Sequence, residues 1–426
     1  MIKSKTIASA CFKLGGDKYM RVLMLSWEYP PRIVGGISRV VYGLAQKIAS
    51  EGNEVHVITC WEMGTKELEK DKNVYVHRLH SYDVAANNFV DWVLQLNYVL
   101  IEYGVKLINE TGRFDIIHAH DWIVAFAARA LKYSYTIPMV ATIHATEHGR
   151  NCGIHSCTQS YINNVEWWLA YESWKLIVNS GYMRNEVKRV FNIPDDKIYI
   201  IPNGVNLNKF DGYKKDIEFR RKYASDNEKI VFFVGRLVNE KGVHVLIDSV
   251  SKTLHYYNDT KFIIAGKGPE LDHLKSLAYQ RGIAHKVCFT GYICEDELKK
   301  LYKCADVAVF PSLYEPFGIV ALEGMVANVP VVVSDTGGLA EIVEHGVDGM
   351  KSYTGNSNSL ADSILEILHN PDKAEAMKKK AYEKVNTIYN WDVVAKQTLN
   401  VYNDIIQETK RINWKMPSIK EELDNL

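Results

Sequence analysis

The chain has no stretch of 18 or more apolar residues in its 426, so no segment reads as a membrane-spanning helix. It has no surplus of either charge. Lys plus Arg number 51 and Asp plus Glu number 51, which withholds the basic excess of a general nucleic-acid binder. It has no cysteine framework either. Seven cysteines, at 11, 60, 152, 157, 288, 294 and 304, are odd in number and scattered, which fits a reducing, cytoplasmic compartment. Neither a Gly-x-Gly-x-x-Gly run after the first strand nor a Walker lysine motif occurs, and this argues against dehydrogenases and P-loop enzymes. Short internal repeats and low-complexity tracts are missing as well.

What is present is globular: 47% hydrophobic and 24% charged residues, in a chain long enough for two or three domains. Residues 1–19 begin with lysines around a short apolar run at 7–12. Lys5 and Lys13 leave less than the about 7–15 apolar residues of a secretory signal, so the segment reads as a disordered leader.

From residue 21, runs rich in Val and Ile alternate with stretches of helical spacing. The first series of strands is predicted at 21–26, 54–59, 74–79, 114–118, 138–143 and 176–179, with helices such as 37–50 and 122–133 between them. A second series is predicted at 230–235, 261–266, 286–291, 306–311 and 330–335. Such alternation indicates βαβ units and parallel sheets covered on both faces. The polar stretch 203–226, with its Asn-Gly and Asp-Gly turns, separates the two series. The expected architecture is therefore α/β, with two doubly wound domains at 20–204 and 205–388. A terminal helix at 389–412 packs back on the first domain, and 413–426 form a polar tail.

In open α/β sheets, ligands bind beyond the carboxyl ends of the strands. Glu28, Gly35 and Gly36 follow the first strand, His118-Ala119-His120-Asp121 a later one, and His144 the Thr142-Ile143 end of the next. In the second half the corresponding residues are Gly235-Arg236, Glu240-Lys241-Gly242, Gly266-Lys267-Gly268 and the run Ser312 to Glu323. Singly these are weak: paired glycines mark turns, and most basic residues are solvated. Together they place polar loops on two facing sheet edges. Pro316 favours a helix start near 318. Glu323 would then stand about 7 Å along that helix, with Glu315 in the loop at its mouth. A helix N-terminus holding a diphosphate, with a carboxylate on either side for hydroxyl groups, suits a sugar joined through a diphosphate to a ribose.

Gly35-Gly36, Gly235-Arg236, Glu240-Lys241-Gly242, Glu315-x7-Glu323 with Phe317-Gly318, and Asp335-x-Gly337-Gly338, in this order over about 20–405, resemble the family 4 retaining glycosyltransferases of the GT-B fold. The likeness is strongest to the glycogen synthase and trehalose or sucrose synthase branch. It implies two Rossmann-like domains facing an interdomain cleft, and metal-independent transfer of a hexosyl group, in first place glucosyl. The donor is a nucleotide-diphosphate sugar, the acceptor a carbohydrate such as an α-glucan or a glycoconjugate, and no cofactor is needed. By that likeness Arg236 and Lys241 neutralise the diphosphate, Glu315 holds the donor sugar and Glu323 the ribose. Amides of Gly318, Ile319 and Val320 bind phosphate or sugar oxygens. His144 lies beside the sugar, Asp121 contacts donor sugar or acceptor, and Asn203 faces the cleft, with Gly35 and Gly36 on the donor as well. One position departs. Glycogen synthases carry a lysine two residues before the paired glycines, where this chain has Ile33, with Arg32 one place earlier.

The run from His144 to Cys157 holds His148, Cys152 and His155 too, but its spacings match no common Cys/His zinc pattern, so no metal is expected there. It reads as a loop over the acceptor side. Trp167, Trp168 and Trp174 read first as helix-packing residues and second as a sugar-stacking platform. Two other classes remain: a nucleotide-sugar epimerase or hydrolase, and an inactive nucleotide-sugar-binding relative, which would lose some of Arg236, Lys241, Glu315 and Glu323.

Overall fold

The computed structural model describes residues 19–415; the leader before Tyr19 and the tail beyond Lys415 lie outside the described residues. The N-terminal half forms one sheet from β1 (Arg21–Leu25), β2 (Glu54–Cys60), β3 (Leu68–Asp71), β4 (Val74–Leu79), β5 (Ile116–His120), β6 (Met139–Ile143), β7 (Lys175–Val178) and β8 (Ile198–Ile200). Their order across the sheet is β3-β4-β2-β1-β5-β6-β7-β8. The second sheet comprises β9 (Lys229–Val234), β10 (Thr260–Ala265), β11 (Val287–Gly291), β12 (Val307–Phe310), β13 (Val331–Ser334) and β14 (Met350–Ser352). Its order is β11-β10-β9-β12-β13-β14. Every pairing is parallel except β3 with β4, so the first sheet is mixed at one edge rather than wholly parallel.

Central strands such as Val22–Leu25 and Val231–Phe233 are buried without alternation, because helices cover both faces and neither side chain direction meets water. Each sheet accordingly carries two apolar clusters, one per face. Strands β3, β8 and β14 were not anticipated: they are three or four residues long, too short to show a period. The helix expected at 122–133 begins as a 3-10 turn, Trp122–Val124, and becomes α-helix at Ala125–Tyr135.

After the helix Pro371–Ile388 the chain crosses back, and the helix Trp391–Arg411 lies on the N-terminal domain. Asn390 starts it by accepting the Val393 amide at 2.9 Å. Val394, Val401, Tyr402 and Ile405 bury against the face lined by Val41, Leu44 and Ile48, each contributing about 1.5–3 kcal/mol. Trp391 fits because Gly43 and Gly204 lack side chains; a Cβ on either would come within 2.2 or 2.6 Å of its indole. Among the described residues, no helix is long and apolar enough to cross a membrane.

Candidate active site

In both sheets the strand order reverses direction once, at β1/β5 and at β9/β12. Those switch points are where open α/β sheets leave a crevice for ligands. The loops that leave these four strands carry most of the motif residues singled out from the sequence.

On the N-terminal side, the buried carboxylate of Glu28 accepts the amides of Val34 at 2.7 Å and Gly35 at 2.8 Å, and so shapes the glycine turn. Burial pushes its acidity toward higher pH, opposed by those two amides. The helix Gly36–Ser50 follows with no side-chain cap on its N-terminus. A Cβ at Gly35 or Gly36 would meet nothing closer than 3.5 Å, and at Gly36 the neighbour is Ile319 of the opposite domain. Packing therefore does not demand glycine at either position in this closed arrangement.

Asp121 leaves β5 with φ 61° and ψ 173°, a backbone region nearly reserved for glycine. Strain of about 1–3 kcal/mol is held there. In return its carboxylate accepts the His144 amide at 2.7 Å, tying the ends of β5 and β6 together. His144 is almost buried, and burial holds its ring neutral against the opposing pull of Asp121. Its Nε2 pairs with Nδ1 of His120 at 3.2 Å. Asn203 lies behind this pair, lining a small cavity with His120, Thr142, Trp391 and Thr398.

In the C-terminal domain Arg236 is more than half exposed and pairs with Glu240 at 3.4 Å. Lys241 is turned inward, its Nζ 2.7 Å from Glu315. Gly318, at φ 115°, ends the Glu315–Phe317 loop and starts the helix Ile319–Val326, whose first turn has no side-chain cap. The Gly337-Gly338 pair serves this loop by packing: a Cβ at 337 would sit 2.0 Å from the Glu315 carbonyl oxygen, and one at 338 would sit 2.4 Å from the Phe317 Cα. The Gly338 amide also donates to the Glu315 carbonyl at 2.9 Å.

Glu323 is brought to the same cleft but is not free. Its Oε1 accepts from Arg39 at 2.7 Å and Lys209 at 2.6 Å, and its Oε2 is buried with no partner among the described residues. Arg39 and Lys209 both reach Glu295 as well, at 3.4 and 3.0 Å. Arg39 belongs to the N-terminal domain, so this network bridges the cleft. Three further contacts hold the same closure. Ser180 donates to the Pro316 carbonyl at 2.6 Å, and Tyr314 to Glu186 at 2.8 Å. The Gly181 and Tyr182 amides donate to Glu341 at 2.9 and 2.6 Å. Sequence reasoning missed Arg39, Lys209, Glu186 and Glu341 altogether. Tyr314 lies inside the run Ser312 to Glu323, and its ring packs where Gly149 leaves room.

Arg32 is held by Glu62 at 3.1 Å and lies over the Trp27 ring, while Ile33 is exposed. Neither supplies the lysine of the glycogen synthases. Around the loop 144–157, as elsewhere among the described residues, no group of three His, Cys, Asp or Glu side chains is placed to hold a metal. Trp168 packs on Phe126, and Trp174 donates to Glu408 at 2.8 Å. Trp167 instead lies exposed, stacked on Tyr171.

Residues 34–209 match the model of Glycosyltransferase Family 4, and residues 215–384 that of Glycosyl transferases group 1. The chain is 42% identical to an uncharacterised glycosyltransferase of Methanocaldococcus jannaschii, over 90% of this chain and 98% of that one. It is 33% identical to a glycogen synthase of Mycobacterium tuberculosis, over 95% of this chain and 99% of the relative. In fold it matches the Anabaena protein HepE, solved with UDP and glucose, at a TM-score of 0.73 and 21% identity, over 91% of this chain and 100% of that one. With two Rossmann-like domains closed over the motif loops and full-length likeness to these relatives, the chain belongs to the family 4 glycosyltransferases of the GT-B fold.

Proposed function

We propose that this glycosyltransferase moves a hexosyl group, in first place glucosyl, from a nucleotide-diphosphate sugar to a carbohydrate or glycoconjugate acceptor, with retention of anomeric configuration and without a metal. The observation that carries the reading is the convergence at the β9/β12 switch point of Arg236, Lys241 and the uncapped helix end at Gly318, Ile319 and Val320, opposite Gly35 and Gly36. Cleavage of the anomeric bond leaves an oxocarbenium-like sugar and a diphosphate that gains negative charge. Fixed positive groups aimed at that charge are commonly the largest catalytic contribution. Arg236, exposed and weakly engaged, and Lys241 supply it, and the helix amides add partial positive charge.

Once phosphate takes Lys241, Glu315 is released to hold sugar hydroxyls, and Glu323 exchanges Arg39 for the ribose. The leaving phosphate is the base nearest the acceptor in a same-face substitution, so Glu315 need not be a covalent nucleophile. His144 and Asp121 border the sugar from the other domain, with Asn203 behind them. The six free cysteines among the described residues suit a cytoplasmic, reducing setting.

The full-length likeness to a glycogen synthase favours an α-glucan acceptor. Ile33 in place of the lysine leaves a glycoconjugate acceptor, as in cell-surface polysaccharide or glycolipid synthesis, as the second reading. Released nucleotide, measured for ADP-, UDP- and GDP-sugars against maltooligosaccharides, glucose, fructose phosphate and lipid acceptors, separates them. Acceptor-dependent release that survives EDTA is expected. Sugar release or isomerisation without any acceptor would replace transfer by the hydrolase or epimerase reading.

A further inference from the structure

Three histidines lie in a row beneath the cleft, and sugar transfer as drawn uses only His144. His118 is satisfied at both ends, its Nδ1 2.6 Å from the Tyr402 hydroxyl and its Nε2 2.7 Å from Thr142 Oγ1. His120 is not. It is fully buried on β5, its Nδ1 meets His144 Nε2 at 3.2 Å, and its Nε2 has no partner among the described residues. The His120 and His144 rings are nearly coplanar in direction, 20° apart with centroids at 5.5 Å.

His120 lines a cavity of about 20 Å³ with Asn203, Thr142 and Thr398 among apolar neighbours such as Leu44 and Ile177, while its Nε2 is itself shielded from solvent. A buried ring nitrogen without a partner costs about 1–3 kcal/mol. The helix Trp391–Arg411 adds Trp391, Val394 and Thr398 to the lining.

We propose that His120 is a positioning residue for His144: through this one hydrogen bond it fixes the ring and the tautomer that His144 presents to the cleft. The proposal rests on the reading that the donor sugar lies at His144. Its logic is proton counting. Burial keeps both rings neutral, so each carries one proton. The shared bond needs one donor and one acceptor. If His120 Nδ1 donates, its Nε2 is bare and His144 carries its proton on Nδ1. If His144 Nε2 donates, His120 is protonated on Nε2 and His144 Nδ1 is bare. The two rings must therefore share one tautomer. The tautomer that His120 holds therefore decides whether His144 shows the sugar a donor or an acceptor. Among the described residues nothing bonds His144 Nδ1, which leaves that nitrogen for a ligand.

The experiment uses the full chain labelled with ¹⁵N-histidine. Long-range ¹H–¹⁵N correlation spectra at neutral pH report each ring's tautomer, with signals assigned through His120→Phe and His144→Gln. The unliganded wild type is expected to show His120 and His144 in the same neutral tautomer. His120→Phe, which keeps a flat ring but no nitrogen, is expected to leave His144 a mixture of tautomers. In that variant kcat falls about tenfold or more while the donor KM stays within about threefold. His120→Asn, whose amide stands near the Nδ1 place, is expected to restore most of kcat. Opposite tautomers in the wild type, or an unchanged His144 signal in His120→Phe, would overturn the proposal. The wild-type comparison needs no variant to fold. The spectra also need no turnover: a chain that fails to transfer sugar but shows matched tautomers refutes the transfer reading and leaves the relay standing.

Discussion

Arg39→Met tests whether the charge network across the cleft competes with the nucleotide. Glu323 accepts from both Arg39 and Lys209, and Arg39 comes from the other domain. A buried hydrogen bond to a charged group contributes about 1.5–3 kcal/mol net. Arg39 is a third exposed, which lowers that figure through solvent screening, and Glu295 stands ready to take its charge. About 0.7–1.4 kcal/mol is then the share that a ribose hydroxyl must displace when it takes Glu323. Glu323 itself stays paired, because Lys209 remains, so the larger penalty of about 3–5 kcal/mol for an orphaned buried charge does not arise. Removing Arg39 should therefore tighten binding of nucleoside diphosphate by about threefold to tenfold. Glu323→Gln should weaken it. Isothermal titration of both variants with the nucleoside diphosphate that the donor panel selects gives the two constants directly. If Arg39→Met weakened binding by tenfold or more, Arg39 would be a ligand of the nucleotide rather than its competitor, and the exchange at Glu323 would be wrong.

Lys241→Ala removes the charge assigned to the diphosphate and leaves the Glu315 carboxylate without its 2.7 Å partner. Its kcat/KM for transfer should fall about a hundredfold to a thousandfold, and a rate near wild type in a nucleotide-release assay would remove Lys241 from the phosphate site. Gly242→Ala puts a Cβ 2.0 Å from the Pro311 carbonyl oxygen at a backbone φ of 63°. A cost of about 2–4 kcal/mol is expected, lowering Tm by about 5–10 °C in calorimetry; an unchanged Tm would show that the turn adapts freely. Burial, helped by His144, pushes His118 down to about 3, so the folded state holds it neutral while the unfolded chain takes a proton near 6.5. Stability from this ring is complete above that value and drains as pH falls toward 3, by about 2 kcal/mol at pH 5. Urea midpoints at pH 7 and 5 should differ more in the wild type than in His118→Gln, and equal differences would assign the acid sensitivity elsewhere.

The parts of the fold legible in the sequence are those whose cause is local. Val- and Ile-rich runs mark buried parallel strands, and glycines at strand ends mark the turns into helices. Gly318 and Gly337 carry positive φ, and the motif positions come from that need as much as from any ligand. Strands β3, β8 and β14 escaped because pairing, not pattern, makes them strands. Arg39 escaped for a related reason: its partner is 284 residues away, and only closure of the domains brings it to Glu323. His120 stood in plain view between His118 and Asp121. Two histidines at alternate positions of one strand point to one face of a sheet, and on a buried face that demands partners. That is the readable signal.

Glu315 and Glu323, expected from the resemblance to hold sugar and ribose hydroxyls, are each found with cations, Lys241 for one and Arg39 with Lys209 for the other. On the proposed reading the pairing follows from charge. Carboxylates this buried, waiting for neutral hydroxyl groups, would be costly without a counter-charge, and so would the cations without an anion. Pairing them keeps the cleft near neutral. In the proposed function a diphosphate entering at Lys241 supplies the negative charge that Glu315 had provided, and only then is Glu315 left in need of hydroxyl donors. Those donors sit on the sugar attached to the same diphosphate. Nucleoside diphosphate alone would take the lysine and leave the carboxylate unpaired, whereas the intact donor satisfies both. A site with no net charge can thus prefer a sugar diphosphate over the bare diphosphate, by making each half of the ligand complete a bond that the other half breaks.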